Sequence, residues 1–194
     1  MDNYLENLMS QALKDYPFIA KHDPQVVLGK GYGFAETYPP EETGKPLGNG
    51  QFSRPSNLPM GRTGIAIHQP NKFSAADLAG EVLHVDPYAA EVRNQLISTL
   101  TPEQLKKMQY HFLDYEESLK EGLSPGKAMQ NLGDAALRGY VLKQAPDKVN
   151  KSIGYTPEQQ ALFDSLSQYM KTPIKQPNNI FYKDPFGDTT GSGY

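Results

Sequence analysis

From residue 74 to residue 171 apolar side chains recur at helical spacing. Leu105, Met108, Phe112, Tyr115 and Leu119 step by 3, 4, 3 and 4, a seam on one face of a helix that a neighbouring helix can fill. Leu162, Leu166 and Tyr169, with Phe163 and Met170 beside them, predict the same for a final helix. Leu132, Ala136 and Tyr140, flanked by Leu137 and Val141, do so for the one before it. The start signals agree with the periodicity. Ser74 can cap a helix to about Val85, Asp86-Pro87 opens one to about Leu100, and Ser124-Pro125 opens another. Thr-Pro-Glu-Gln occurs at 101–104 and again at 156–159, each time with a threonine cap, proline at the first helical position and glutamine at the third. The flanks of the two tetrapeptides do not match, so they read as convergent capping chemistry and not as a duplication. The expected fold is mainly α: an irregular bundle of about five short helices over 71–171.

The flanks of this core look different. In residues 1–16, Tyr4, Leu5, Leu8, Met9, Ala12, Leu13 and Tyr16 fall on adjoining rows of a short amphipathic helix that Pro17 stops. So short a helix is marginal alone, so its apolar face needs a surface, either the chain's own core or another subunit. Leu5, Leu8 and Met9 are the candidate contacts. Residues 17–70 hold half of the 16 prolines and nearly half of the 17 glycines, which predicts an extended, turning, largely non-helical segment. Two short strands are expected within it, Tyr32–Tyr38 and one around Ile65 and Ile67, pairing as a small β-ribbon. Residues 172–194 form an extended tail whose Phe181, Tyr182, Phe186 and Tyr194 suit burial against a partner. Long N- and C-terminal arms on a small helical core are therefore expected.

Composition narrows the function classes. Hydrophobic residues make up 38% of the chain and mean hydropathy is −0.61, consistent with a modest core and long extensions. The 19 basic and 22 acidic residues are spread along the chain without a basic stripe, which argues against independent nucleic-acid binding. The lack of cysteine excludes disulfides, thiolate zinc sites and cysteine nucleophiles. No window approaches the roughly 18 apolar residues of a membrane span, and the first residues lack a signal-peptide pattern. Synthesis in a cytoplasm is expected.

Three stretches carry candidate chemistry. Asp77, Glu81 and His84 stand at i, i+4 and i+7, one face of a helix, and Glu81 with His84 has workable spacing for two metal ligands or an acid/base pair. The plainer reading, which we favour, is a solvated helix face. His111 and Asp114 lie one turn apart, a pair that can fix a catalytic tautomer or simply satisfy an imidazole at the edge of a core. Glu36 precedes Tyr-Pro-Pro in a strand; facing Glu81 across a cleft, it would complete a glycosidase-like carboxylate pair. None of the three specifies a reaction, and no cofactor is expected. Metal binding by Glu81 and His84 is the weaker alternative.

Several segments in order, "GYGFAETYPPEETGKP", "SRPSNLPMGRTGIAIHQPNKFSAADLAGEVLHVDPY", "LISTLTPEQLKKMQYHFLDY", "LRGYVLKQAP" and "GYTPEQQALFDSLSQYM", span roughly residues 31 to 170. Together they resemble uncharacterised proteins of tailed bacteriophages and prophages, and domains inside the very large polyvalent proteins of phages. The resemblance implies a phage setting and brings no catalytic residue with it. The chain departs from the giant members in its short length and its own terminal arms, so their delivery role is not carried over. The leading expectation is a non-enzymatic virion or virion-associated protein of the capsid, portal–tail region or internal ejection apparatus. Its partners would be phage structural proteins or further copies of itself. The alternatives are a hydrolase of peptidoglycan or peptide bonds using Glu81 and His84, and a host-takeover factor that binds a host protein.

Overall fold

In a computed structural model of the chain, the structure describes residues 2–29, 34–39, 62–112, 114–142 and 151–174. The fold is mainly helical with a small three-stranded sheet. In chain order the elements are α1 (Asp2–Asp15), a 3-10 turn (Pro17–Lys21), β1 (Gln25–Leu28), β2 (Ala35–Tyr38), β3 (Gly64–Ile67) and a second 3-10 turn (Pro70–Lys72). There follow α2 (Ala75–Leu83), α3 (Pro87–Thr99), α4 (Pro102–Phe112), α5 (Asp114–Lys120), α6 (Pro125–Val141) and α7 (Pro157–Lys171).

Capping decides where the helices begin. The Ser74 hydroxyl accepts from the Asp77 amide while the Asp77 carboxylate accepts from the Ser74 amide, a reciprocal box that starts α2. Thr156 forms the same reciprocal box with Gln159 at the start of α7, while the Asp86 and Ser124 side chains accept from the amides of Ala89 and Lys127 to cap α3 and α6; each of the three stands ahead of a proline at the first helical position. The core lies between these helices. Leu78, Val82, Leu96, Met108, Leu132, Ala136, Phe163 and Leu166 are all buried there. The expected seams hold except at one end: Leu119 is exposed while Met108 is fully buried.

The sheet departs from a two-stranded ribbon. β2 and β3 pair antiparallel, Thr37 opposite Ile65 and Glu36 opposite Ala66, and β1 adds to the other side of β3 in parallel. The four residues Gln25–Leu28, between Asp23-Pro24 and Gly29, are too few and carry no apolar–polar alternation, which is why the third strand is invisible in the pattern. Ile65 and Ile67 turn toward the helical core, together with Val26, Leu28 and Ala35. Tyr38, Ala66 and Val27 pack on the opposite face.

Helix α1 lies on α2 and on the 3-10 turn after it. Leu8 and Ala12 are buried in the main core, with Tyr4, Leu5, Met9, Leu13 and Tyr16 half-buried against it. The Tyr4 hydroxyl offers its proton to the carbonyls of Pro70 (2.8 Å) and Phe73 (3.2 Å). Of the two surfaces open to this helix, the structure shows the chain's own core. That takes Leu8 out of reach of a partner. Phe181, Tyr182, Phe186 and Tyr194 lie outside the described residues.

Candidate functional site

Helix α2 carries Asp77, Glu81 and His84, and the structure gives each a different surrounding. Asp77 belongs to the capping box and also accepts from the Ser74 hydroxyl at 2.6 Å. Glu81 is not on a wet face: it is 7% exposed, turned toward the sheet. Thr37 of β2 donates its hydroxyl proton to Glu81 Oε2 at 2.7 Å. Arg138 of α6 brings Nη2 to 4.0 Å from Glu81 Oε1. His84, at the C-terminal cap of α2, contacts Arg138 Nη1 through Nε2 at 3.0 Å and Asp134 Oδ2 through Nδ1 at 3.6 Å. Asp134 accepts from Arg93 Nη1 of α3 at 2.7 Å. Burial pushes the Asp134 carboxyl up, but His84 and Arg93 outweigh it and hold the group below its ordinary value.

This arrangement is a charge-balanced seam where α2, α3, α6 and β2 meet. Two arginines stand against one aspartate and one glutamate, and the imidazole sits between the two pairs. A carboxylate and a charged guanidinium are costly to bury singly and tolerable when each meets an opposite charge or a donor. The solvated-face reading of the stripe therefore fails for Glu81, because α6 and β2 close over the side of α2 that carries it.

Glu36 does not meet Glu81. Successive strand residues point to opposite faces, and Thr37, the next residue, is the one that reaches Glu81. Glu36 turns to the far side of the sheet, where it accepts a hydrogen bond from the Tyr38 hydroxyl and lies 4.0 Å from His68 Nε2. The sheet itself separates the two carboxylates, so the glycosidase-like pair is not formed. His111 approaches Ser152 Oγ through Nε2 at 2.8 Å. Its expected partner, the Asp114 side chain, lies outside what is described.

A second cluster has no counterpart in the sequence reading. Asp86 is 1% exposed and uses both oxygens: Oδ1 accepts from the Ala89 amide at 2.8 Å as the α3 cap, while Oδ2 meets His22 Nε2 and the Tyr169 hydroxyl, each at 2.7 Å. Burial raises the Asp86 carboxyl, and the bonds from His22, Ala89 and Tyr169 together bring it below its ordinary value. The Tyr169 phenol is pushed up by burial and by its bond to Asp86. Lys21 lies 4.2 Å over the Tyr169 ring. The capping aspartate was readable from Asp86-Pro87. Its two distant partners, 64 and 83 residues away, left no local signal.

Among the described residues, no group of three or more histidine, aspartate or glutamate side chains is placed to hold a metal ion, so Glu81 and His84 do not gain a third ligand there. No helix among them is long and apolar enough to cross a membrane. Comparison of the chain with protein-family models, with curated proteins and with solved structures gives no match.

Proposed function

We propose that the protein is a non-enzymatic component of a bacteriophage particle, a virion or virion-associated protein that acts by binding neighbouring subunits. The observation that carries the non-enzymatic half is the contact between Arg138 and His84. A general base needs a free lone pair within reach of a substrate. A neutral imidazole has one such pair, and the Arg138 guanidinium, which can only donate, lies 3.0 Å from it. Glu81 is likewise engaged by Thr37 and faces Arg138. The groups expected to perform hydrolysis are spent on holding helices and sheet together.

The phage setting rests on the ordered series of segments described above. Within that setting the stretches at either end of the helical body, 1–16 and 172–194, supply the partner contacts. Leu5 and Met9 contribute from the half-buried side of α1, and Phe181, Tyr182, Phe186 and Tyr194 from the tail. Mass spectrometry of purified particles beside the matching infected-cell lysate tests this reading. Recovery of the protein in particles, at a constant ratio to known structural proteins, is the expected result. Its presence in lysate and absence from particles would overturn the reading in favour of a host-takeover factor. Clearing of a peptidoglycan gel by the purified chain, lost in Glu81→Gln, would overturn it in favour of the hydrolase.

A further inference from the structure

The polar seam between α2, α3 and α6 alternates between tight and loose contacts. Arg93 Nη1 lies 2.7 Å from Asp134 Oδ1, and Asp134 Oδ2 lies 3.6 Å from His84 Nδ1. His84 Nε2 lies 3.0 Å from Arg138 Nη1, and Arg138 Nη2 lies 4.0 Å from Glu81 Oε1. We propose that His84 is a proton-operated latch: neutral, it holds Arg138; protonated, it pairs with Asp134 and releases Arg138 to Glu81.

The chemistry of the donors requires the first state. A guanidinium has five N–H donors and no acceptor, so its 3.0 Å contact needs a lone pair on Nε2. The neutral ring then carries its hydrogen on Nδ1, toward Asp134. An added proton has one place to go, and that is Nε2. It removes the acceptor that Arg138 uses and sets two cations against each other.

Both cations have an anion waiting. Nδ1 must close from 3.6 Å to reach the roughly 2.8 Å of a charge-assisted bond with Asp134. Arg138 must close from 4.0 Å onto Glu81 Oε1, the oxygen that Thr37 leaves open. Arg138 also has a buried Nε–H with no partner, a donor that gains from any approach to an acceptor.

The groups that face His84 are Arg138 and Asp134 from α6 and Glu81 from its own helix, with Arg93 of α3 behind Asp134. Their charges cancel while the imidazole is neutral, and one proton leaves the cluster with a single positive charge. His84 is 32% exposed at its side chain, so that proton arrives directly from solvent. The consequence is mechanical. Acid closes the Arg138–Glu81 gap and ties α6 to α2, and through Thr37 to β2.

Nuclear magnetic resonance on the full chain, titrated across the pH 5 to 8 range in which imidazoles change charge, tests the latch. At pH 8 the His84 ring nitrogens are expected to show the Nδ1–H tautomer. As His84 titrates, the Glu81 carboxyl carbon and the Arg138 Nε signal are expected to shift with the same midpoint. In His84→Gln, which cannot take up the proton, both of those shifts should vanish at that midpoint. An Nε2–H tautomer at pH 8 would overturn the proposal. So would a titrating His84 that leaves Glu81 and Arg138 unmoved. If His84→Gln does not fold, the wild-type titration decides alone.

Discussion

The side-chain amides of Gln104 and Gln159 bond to each other in both directions: Gln104 Nε2 donates to Gln159 Oε1 at 2.7 Å, and Gln159 Nε2 donates to Gln104 Oε1 at 3.1 Å. Each glutamine is also the third residue of its own capping box. Gln104 Oε1 accepts from the Thr101 amide at 3.0 Å, and Gln159 Oε1 from the Thr156 amide at the same distance. The two copies of Thr-Pro-Glu-Gln therefore start α4 and α7 and clasp those two helix starts together. Both amides are buried, and their remaining hydrogens go to the carbonyls of Gly154 and Thr99. Gly154 has a φ of +71°, a left-handed conformation that a side chain would strain.

This clasp predicts that glutamate cannot replace glutamine, although either serves an ordinary capping box. A carboxylate at 159 keeps the bond to the Thr156 amide. It loses the two bonds that Gln159 Nε2 donates, to Thr99 and to Gln104. Gln159→Glu should therefore lose about 1–3 kcal/mol in urea unfolding at pH 8, the cost of buried groups left unpaired. At about pH 4 the loss should be smaller, because protonation restores one O–H donor. Equal losses at the two pH values would mean that the amide pair contributes nothing beyond its two boxes.

At Gly133 α6 packs tightly against Ile97 and Arg93 of α3. A Cβ there would lie 2.8 Å from Ile97 Cδ1 and 2.9 Å from Arg93 Cγ. Alanine gains roughly 1 kcal/mol in helix propensity over glycine. Overpacking a tight core costs typically 1–3 kcal/mol. The clash should win, because Arg93 Cγ lies mid-chain in a side chain held at its far end by Asp134. Gly133→Ala is expected to be destabilised by about 1 kcal/mol, with partial recovery on adding Ile97→Val. A thermal melt higher than wild type would show that the two helices can part at no cost.

The helix starts were legible because capping is local chemistry: Ser74, Asp86, Ser124 and Thr156 each bond an amide three residues on. The strand around Ile65 and Ile67 was legible by alternation, and its pairing with the strand ending at Tyr38 by the turn-rich chain between them. β1 was not, since parallel pairing leaves no mark on four residues. The candidate stripe was half legible. Its spacing correctly placed Glu81 and His84 on a helix, but what covers Glu81 comes from Thr37 and Arg138, 44 and 57 positions away in sequence. Periodicity sorts a helix into faces; it does not say which neighbour closes over a polar one.

Asp86 and Asp134 each contribute stability that acid removes. Both carboxyls titrate below their ordinary value of 3.8 in the folded chain. A depressed folded value means that the unfolded chain takes up protons first as pH falls. The stabilisation is therefore complete above about pH 4 to 5 and is lost below it, as pH falls through the folded values. Asp86→Asn keeps a capping residue at α3 but forfeits the charge that His22 and Tyr169 address. The stability gap between wild type and Asp86→Asn, measured by urea unfolding, should be widest near neutrality and narrow below about pH 4. A gap that is flat from pH 2.5 to 7 would mean that the charge on Asp86 is not what the cluster uses.

Thr37 and Glu81 give the sharpest test of why a carboxylate is buried at the centre of the fold. A hydrogen bond to a charged group contributes about 1.5–3 kcal/mol, and a buried charge that loses its donor costs more than the bond was worth. Thr37→Val, a near-isosteric change, leaves Glu81 Oε2 without its 2.7 Å donor and should lose about 2–3 kcal/mol. Glu81→Met leaves Thr37 and Arg138 facing an apolar chain and should lose a similar amount. The double variant removes donor and acceptor together, so its loss should fall short of the sum by at least about 1 kcal/mol. Hydrogen exchange at β2 should quicken in each single variant, because the hydroxyl of Thr37 ties that strand to α2. Strict additivity in the double variant would mean that Thr37 and Glu81 are neighbours without being partners. The seam would then be held by Arg93, Asp134, His84 and Arg138, and Glu81 would be a buried charge in need of another reason to be there.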